Sequence, residues 1–411
     1  MKTLNKSKKR LLVFIIIISN IFLTSCKSAK EIDTLGIVVA VGFDLDGEDV
    51  IITNEVINPM GSSTSQQSSG QESTKFVIGQ GKTIEEAILN TSLTFDRELY
   101  YPHAHTIIVG EDLVKDGFDG YIDMLSRDKQ LRETTFLMVA KGAKAYEIMG
   151  INSGLSNSPG RYLHDITQEN METGKQRPLD INRFLKYFYR KSGGVVLGVV
   201  EKRDKKTANK DGKADTIEVL SVEGGVVLKE KKLVGYFTGE EMMGFNFIVG
   251  EFQRGPIVFQ TPEDDKDKGN FKKNHYSTFK VFKNKTTLDM ELKKDKLHLF
   301  IDLKLRGALK ATQEGVDLNN PNIVKEMEKS IEKEIKRKIA TTLEKAQNEF
   351  NVDTFSIAEL THRKYPELWK EIEDQWPEIF KDLDYTIRVD ASINDVGFIN
   401  TTKKTRESIY E

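Results

Sequence analysis

A single cysteine in 411 residues, Cys26, excludes an intramolecular disulfide and any cluster of thiolate metal ligands. Histidine is almost as scarce, with six in the chain, so few metal sites can be assembled from it. No apolar run beyond residue 25 approaches the roughly 18 residues that a membrane-spanning helix needs. Charge of one sign is not in excess either: 61 basic and 63 acidic residues give −2, which excludes nucleic-acid binding by bulk electrostatics. The sequence also has no GxSxG elbow, no HExxH helix and no recognisable triad spacing, which leaves a secreted hydrolase as the weakest functional class. Stability must then come from packed apolar cores.

The first 26 residues decide the compartment. Lys2, Lys6, Lys8, Lys9 and Arg10 precede an apolar run, Leu11 to Leu23, broken only by Ser19 and Asn20. As a helix, Leu11 to Ser25 would reach about 22 Å, short of the roughly 30 Å hydrocarbon core. Leu23-Thr24-Ser25-Cys26 resembles a bacterial lipobox. In that chemistry the peptide is cut before Cys26, which takes an S-diacylglycerol on its thiol and an N-palmitoyl group on its new amine. Several acyl chains hold a protein at a membrane where one is marginal. The bland alternative is an uncleaved signal anchor with a chance cysteine. Loss of residues 1–25 takes the five positive charges with it and brings the formal charge to −7 (56 basic, 63 acidic). The remaining body is expected to be extracytoplasmic, soluble and tethered.

Its pattern predicts an α+β fold of three mixed α/β domains after the lipoprotein signal peptide of residues 1–25. An N-terminal α+β domain is expected over 26–193. It starts with a buried β-branched strand from Leu35 to Phe43 and a hairpin at Asp46-Gly47 returning through Val50 to Asn58. Asp44, Asp46, Glu48 and Glu55 imitate a calcium loop, but Asp49 stands where that loop needs glycine. Residues 61–74 carry no apolar side chain and predict a mobile loop. Gly79-Gln80-Gly81-Lys82-Thr83 lacks the earlier glycine of a phosphate loop, since position 76 is Phe; Thr83 with Glu86 predicts a capping box. His103 and His105 would share a strand face with no third ligand nearby in sequence, so ordinary polar roles fit better than a metal site.

A small strand-rich domain is expected over 194–270, entered through a charged linker from Lys202 to Asp215. A C-terminal α+β domain over 271–411 would hold three strands (Thr278 to Lys285, Thr287 to Lys293, Leu297 to Leu309) packed with a long helix over 321–350. Val324, Met327, Ile331, Ile335, Ile339, Leu343, Ala346 and Phe350 form one apolar stripe along it. Packing on the sheet explains that stripe more simply than a coiled-coil seam. Pro366 opens a further helix with Trp369, Ile372 and Trp376 on one face, with Pro377 as its stop. A ring-binding role for the two tryptophans is weaker than core packing.

Taken together these residues resemble the Ger(x)C family, the C-subunit lipoproteins of spore germinant receptors. The resemblance rests on Cys26 with Glu31-Ile32-Asp33 and the strand Val38 to Asp44. It continues through Arg127-Asp128, Leu131-Arg132, Ala140-Lys141-Gly142 and Leu233-Val234-Gly235-Tyr236. Its most specific part is His362-Arg363-Lys364-Tyr365-Pro366, Trp369-Lys370, Trp376 and Ile379-Phe380. The resemblance implies a three-domain, non-catalytic protein without cofactor or metal, lipidated at Cys26. It would sit on the outer face of the inner spore membrane beside two multi-span membrane subunits, with no nucleic-acid partner. Direct contact with the germinant is left open. The competing class is a solute-binding lipoprotein of a membrane transporter, which would show two similar lobes around a cleft.

Overall fold

The computed structural model describes residues 31–57, 74–117, 119–127, 130–152, 154, 156, 158–190, 193–208, 212–262, 275–294, 296–312 and 318–395. The β-branched run after Leu35 becomes β1 (Leu35–Asp46), buried on both faces as such composition requires. Gly47, in the left-handed region at φ 62°, turns it into antiparallel β2 (Asp49–Ile57), beyond which lies β3 (Thr74–Gly81). On the other side β4 (Glu98–Tyr100) and β5 (Thr106–Gly110) run parallel to β1, and β6 (Phe136–Ala140) runs parallel to β5. Adding β7 (Leu179–Asp180), β8 (Gly194–Ala208), β9 (Ala214–Ser221), β10 (Gly225–Lys229) and β11 (Lys232–Phe237) completes an eleven-stranded mixed sheet. Its main order is β11-β10-β8-β6-β5-β1-β2-β3, with β4, β7 and β9 attached to β1, β6 and β8.

Helices cover both faces. α1 (Ile84–Thr91), α2 (Glu111–Asp116) and α3 (Asp119–Arg127) cover one face, α4 (Ala145–Met149) and α5 (Pro159–Glu169) cover the other, and α6 (Ile181–Phe188) returns to the first. α1 lies unusually close to β3, because a Cβ on Gly79 would stand 2.0 Å from the Ala87 carbonyl oxygen. Thr83 caps α1 as its sequence predicts, accepting from the Glu86 amide at 3.1 Å. The return bond goes one residue further back, with the Glu86 carboxylate accepting from the Lys82 amide at 2.7 Å.

The second sheet has the order β12-β13-β14-β15, and α7 (Gly239–Ile248) leads into it. β12 (Gly255–Gln260), β13 (Tyr276–Lys293) and β14 (Lys296–Ala311) are antiparallel; β15 (Asp384–Asp395) lies parallel to β14. Between β14 and β15 the chain forms α8 (Pro321–Lys345), a π-helical turn (Ala346–Phe350), α9 (Ile357–Lys364), α10 (Pro366–Ile372) and α11 (Trp376–Lys381). The stripe of α8 is buried at Met327, Ile331, Ile335, Ile339 and Leu343, as sheet packing requires. α7 crosses α8 closely: a Cβ on Gly244 would meet the Lys338 carbonyl oxygen at 2.3 Å.

Four expectations are corrected. Lys202 to Asp215 is no linker; its first half extends β8 and its end opens β9, forming a ribbon in which Lys205 opposes Ile217 and Thr207 opposes Asp215. The ribbon's exposed side chains suit solvent, and its backbone is satisfied by cross-strand pairing. The two strands expected over 278–293 are one: Lys285, Thr286 and Thr287 pair without a break to Lys304, Leu303 and Asp302. Thr286 Oγ1 donates to the Phe247 carbonyl at 2.6 Å and ties mid-strand to the end of α7. Pro377 does not stop a helix but occupies the first turn of α11, where a missing N–H costs nothing. Finally, the described residues of 194–270 form no sheet of their own. β8 to β11 complete the first sheet, whereas β12 pairs with β13 in the second. Residues 61–73 of the expected loop lie outside the described residues.

Candidate functional site

The ionisable groups that might do chemistry are mostly committed to holding backbone. Asp44 is buried, and its carboxylate accepts from the amides of Ala145 at 2.7 Å and Tyr146 at 3.2 Å, so it orders the start of α4. Glu55 accepts from Ser158 Oγ and the Gly160 amide, both at 2.6 Å, and does the same for α5. Burial raises the pKa of both carboxyls, against these hydrogen bonds. They point to different helices, which disposes of the calcium loop. Among the described residues no group of three or more His, Cys, Asp or Glu could hold a metal.

His103 and His105 separate. His103 ends a 3-10 turn, and His105 stands just before β5 with its ring 5.0 Å from that of His164 on α5. Sequence distance hid this third histidine, which stacks on Phe136 at 5.4 Å. Burial, followed by the charges of His164 and Arg161, lowers the pKa of His105. Pro102, His103, His105, Arg132 and His164 line a cavity of about 190 Å³.

A buried polar cluster joins the first sheet to the end of α7. Arg177 is buried and donates from Nε and Nη2 to the two oxygens of Glu251 at 2.9 and 3.0 Å. Its guanidinium lies 4.2 Å from the Tyr187 ring centroid and 4.9 Å from that of Phe245. Arg183 pairs with Glu251 at 2.8 Å, and the Tyr187 hydroxyl donates to it at 2.8 Å. Burial alone would raise the Glu251 pKa; Arg177, Arg183 and Tyr187 outweigh it and bring it to about 2. Asn246 of α7 donates to the carbonyls of Gly174 at 2.8 Å and Gln176 at 2.9 Å, completing the clasp. No sequence motif marks Arg177 or Glu251; they lie 74 positions apart.

A second clasp organises the terminal helices. Asp353 is buried and accepts from the amides of Phe355, Ile357 and Ala358 at 3.0, 3.2 and 2.7 Å, and from Trp376 Nε1 at 3.3 Å. Trp369 and Trp376 pack 5.2 Å apart in the core and do not form an open ring-binding face. The Tyr365 hydroxyl donates to the Met290 carbonyl at 3.2 Å, and Lys364 pairs with Asp289 at 2.6 Å. The segment from His362 to Phe380 therefore fastens α9, α10 and α11 to β13.

Cys26, the expected lipid site, lies outside the described residues. Glu31 is the first described residue, and a 3-10 turn (Ile32–Thr34) leads into β1. Among the described residues no helix is long and apolar enough to cross a membrane.

Residues 28–202 match the family described as "Spore germination protein N-terminal domain", and residues 223–397 match "Spore germination B3/ GerAC like, C-terminal". The chain belongs to the Ger(x)C family of spore germination proteins. Among Ger(x)C relatives, spore germination protein B3 of Bacillus subtilis (strain 168) is 26% identical over 389 residues, covering 92% of this chain and 95% of its own. Spore germination protein KC of the same organism is 23% identical, with 97% and 98% covered. The crystal structure of the GerBC protein superposes with a TM-score of 0.54 at 20% identity, covering 89% of this chain and 100% of that one. That likeness supports the fold. The interval 203–222 between the two matched regions coincides with most of the β8–β9 ribbon and the turn into β10.

Proposed function

We propose that this chain is the non-catalytic C subunit of a spore nutrient germinant receptor. Lipid on Cys26 anchors it to the outer face of the inner spore membrane, beside two multi-span membrane subunits. The observation that carries this reading is the succession of both Ger(x)C regions along one chain, over 28–202 and 223–397. The commitment of Asp44, Glu55, Glu251 and Asp353 to structural hydrogen bonds supports a binding role over a catalytic one. All eleven described strands up to Phe237 belong to one sheet, whereas a solute-binding lipoprotein would be expected to divide them between two like lobes around a cleft.

A deletion strain tested against a nutrient panel is the direct experiment. Loss of the response to at least one nutrient, restored by the intact gene, is expected; an unchanged response across the panel overturns the reading. Anchoring is tested separately with Cys26→Ala, which should leave a folded protein in the soluble fraction because position 26 precedes every described element. Protein still pelleting with membranes after a high-salt wash would count against the lipid.

A further inference from the structure

We infer that the end of the first sheet from which the chain leads back to Cys26 is a lipid-contacting face, with Ile32, Leu93 and Tyr100 seated among the headgroups of the bilayer. The inference rests on the anchoring proposed above and adds an orientation to it.

The register brings these residues to one end. β4 pairs with the start of β1, Leu35 beside Glu98 and Ile37 beside Tyr100. A Cβ on Gly36 would stand 2.6 Å from the Phe95 ring, which places the Leu93–Phe95 turn against the same stretch of β1. β3 ends beside Val50 at the far end of the sheet, so α1, which follows it, runs back toward the start of β1 before reaching Leu93. Ile32 lies in the turn that enters β1.

Single exposed apolar side chains are ordinary on a protein surface; several at one end are not. Ile32 is 66% exposed, Leu93 78% and Tyr100 37%, with Leu89 in the last turn of α1 at 66%. Tyrosine is the side chain expected at a membrane interface, with an apolar ring and a polar tip. Ile32 lies six positions from Cys26, and an extended chain spans at most about 3.6 Å per residue, so Ile32 can be no more than about 22 Å from the anchor. A bilayer surface therefore passes close to this end whenever Cys26 is lipidated.

Charge identifies the kind of lipid contact. Among the described residues, exposed Lys75 and half-buried Arg97 stand among exposed Glu31, Asp33, Asp96 and Glu98, which gives no excess of positive charge to attract anionic headgroups. Contact should come from side-chain insertion and be nearly independent of lipid charge.

The test uses the full lipidated chain reconstituted into vesicles, with single cysteines introduced for an environment-sensitive fluorophore. Leu93→Cys reports the proposed face. Val258→Cys, exposed on β12 of the second sheet, is the reference. With a quencher carried on the lipid, the label at 93 should be quenched at least threefold more than the label at 258. The ratio should be alike in phosphatidylcholine vesicles and in vesicles containing phosphatidylglycerol. Equal quenching at both positions in protein that floats with the vesicles overturns the lipid-facing orientation while leaving the anchor intact. Protein that fails to float overturns both. A label shielded only when the multi-span subunits are added assigns the face to protein contact and overturns the inference.

Discussion

A carboxylate held by Arg177, Arg183 and Tyr187 is harder to protonate in the folded chain than in the unfolded one. Glu251 falls to about 2 from the ordinary 4.5, so the native state binds fewer protons below pH 4.5. Its contribution is complete above that pH and is lost as the pH falls toward 2. A shift of that size corresponds to about 3 kcal/mol. Urea unfolding at pH 7 and pH 3 should show the native chain losing about 2 kcal/mol more than Glu251→Gln does; equal losses would mean that the clasp does not form in solution. Asp353 has the opposite sign. Burial pushes it up to about 6, against the pull of its amide donors, so its contribution is complete below pH 3.8 and declines as the pH rises through 6. Asp353→Ala strands buried amide donors and should cost on the order of 4 kcal/mol, read from the same urea titrations. Glu251 could not be singled out in the sequence because Arg177, Arg183 and Tyr187 are supplied by distant chain; Asp353 takes the nearby amides of Phe355, Ile357 and Ala358, but what buries it includes Trp376, 23 positions away.

At the scale of elements, periodicity was the most informative signal where one face is buried along a whole helix. The stripe from Met327 to Leu343 follows the three-and-four spacing read in the sequence. Ile335→Asp, placing an unpartnered charge in that core, should cost several kcal/mol, on the order of 4, whereas Lys333→Asp on the exposed side should cost under about 1. Matching melting temperatures would mean that the stripe is open to solvent. The β8–β9 ribbon is not legible for the complementary reason: the described residues of Lys202 to Asp215 have no buried face, so no alternation of apolar and polar residues marks them as strand. Its stability should be local. Replacing residues 205–217 by a short turn is expected to change the global unfolding free energy by less than about 1 kcal/mol, measured in urea. Elsewhere the helix starts carry the local chemistry that a sequence can show: Asn320 and Ser158 cap helices that open on Pro321 and Pro159, and Thr238 caps α7. Pro377 was ambiguous because the same residue that ends one helix can begin the next.

Division of the whole molecule was the least legible in sequence, because strand partners leave no local mark. Alternate residues of β8 and β10 face different cores: Val195, Leu197, Val226 and Leu228 pack with the first set of helices, while Val196 and Val227 pack with α7 and α8. A boundary at 193 would cut through that shared layer. The two cores should therefore melt together, and calorimetry should record one transition; two resolved transitions would show that the halves are independent. The position of β15 has a consequence for how the protein is made. It supplies the parallel neighbour of β14 and accepts α8 against it, with Glu328 and Glu332 of the helix taking the β15 amides of Ile393 and Ala391 at 2.9 and 3.3 Å. Synthesis proceeds at about 5 to 20 residues per second, so α8 is complete on the order of 2 to 8 s before the first residue of β15 exists. During that interval a long apolar stripe and an unpaired strand edge are both open, which is the condition that recruits chaperones and proteases. A stop codon just before Asp384 would make the condition permanent, and such an allele should yield as little protein on an immunoblot as one truncated near the start of the gene.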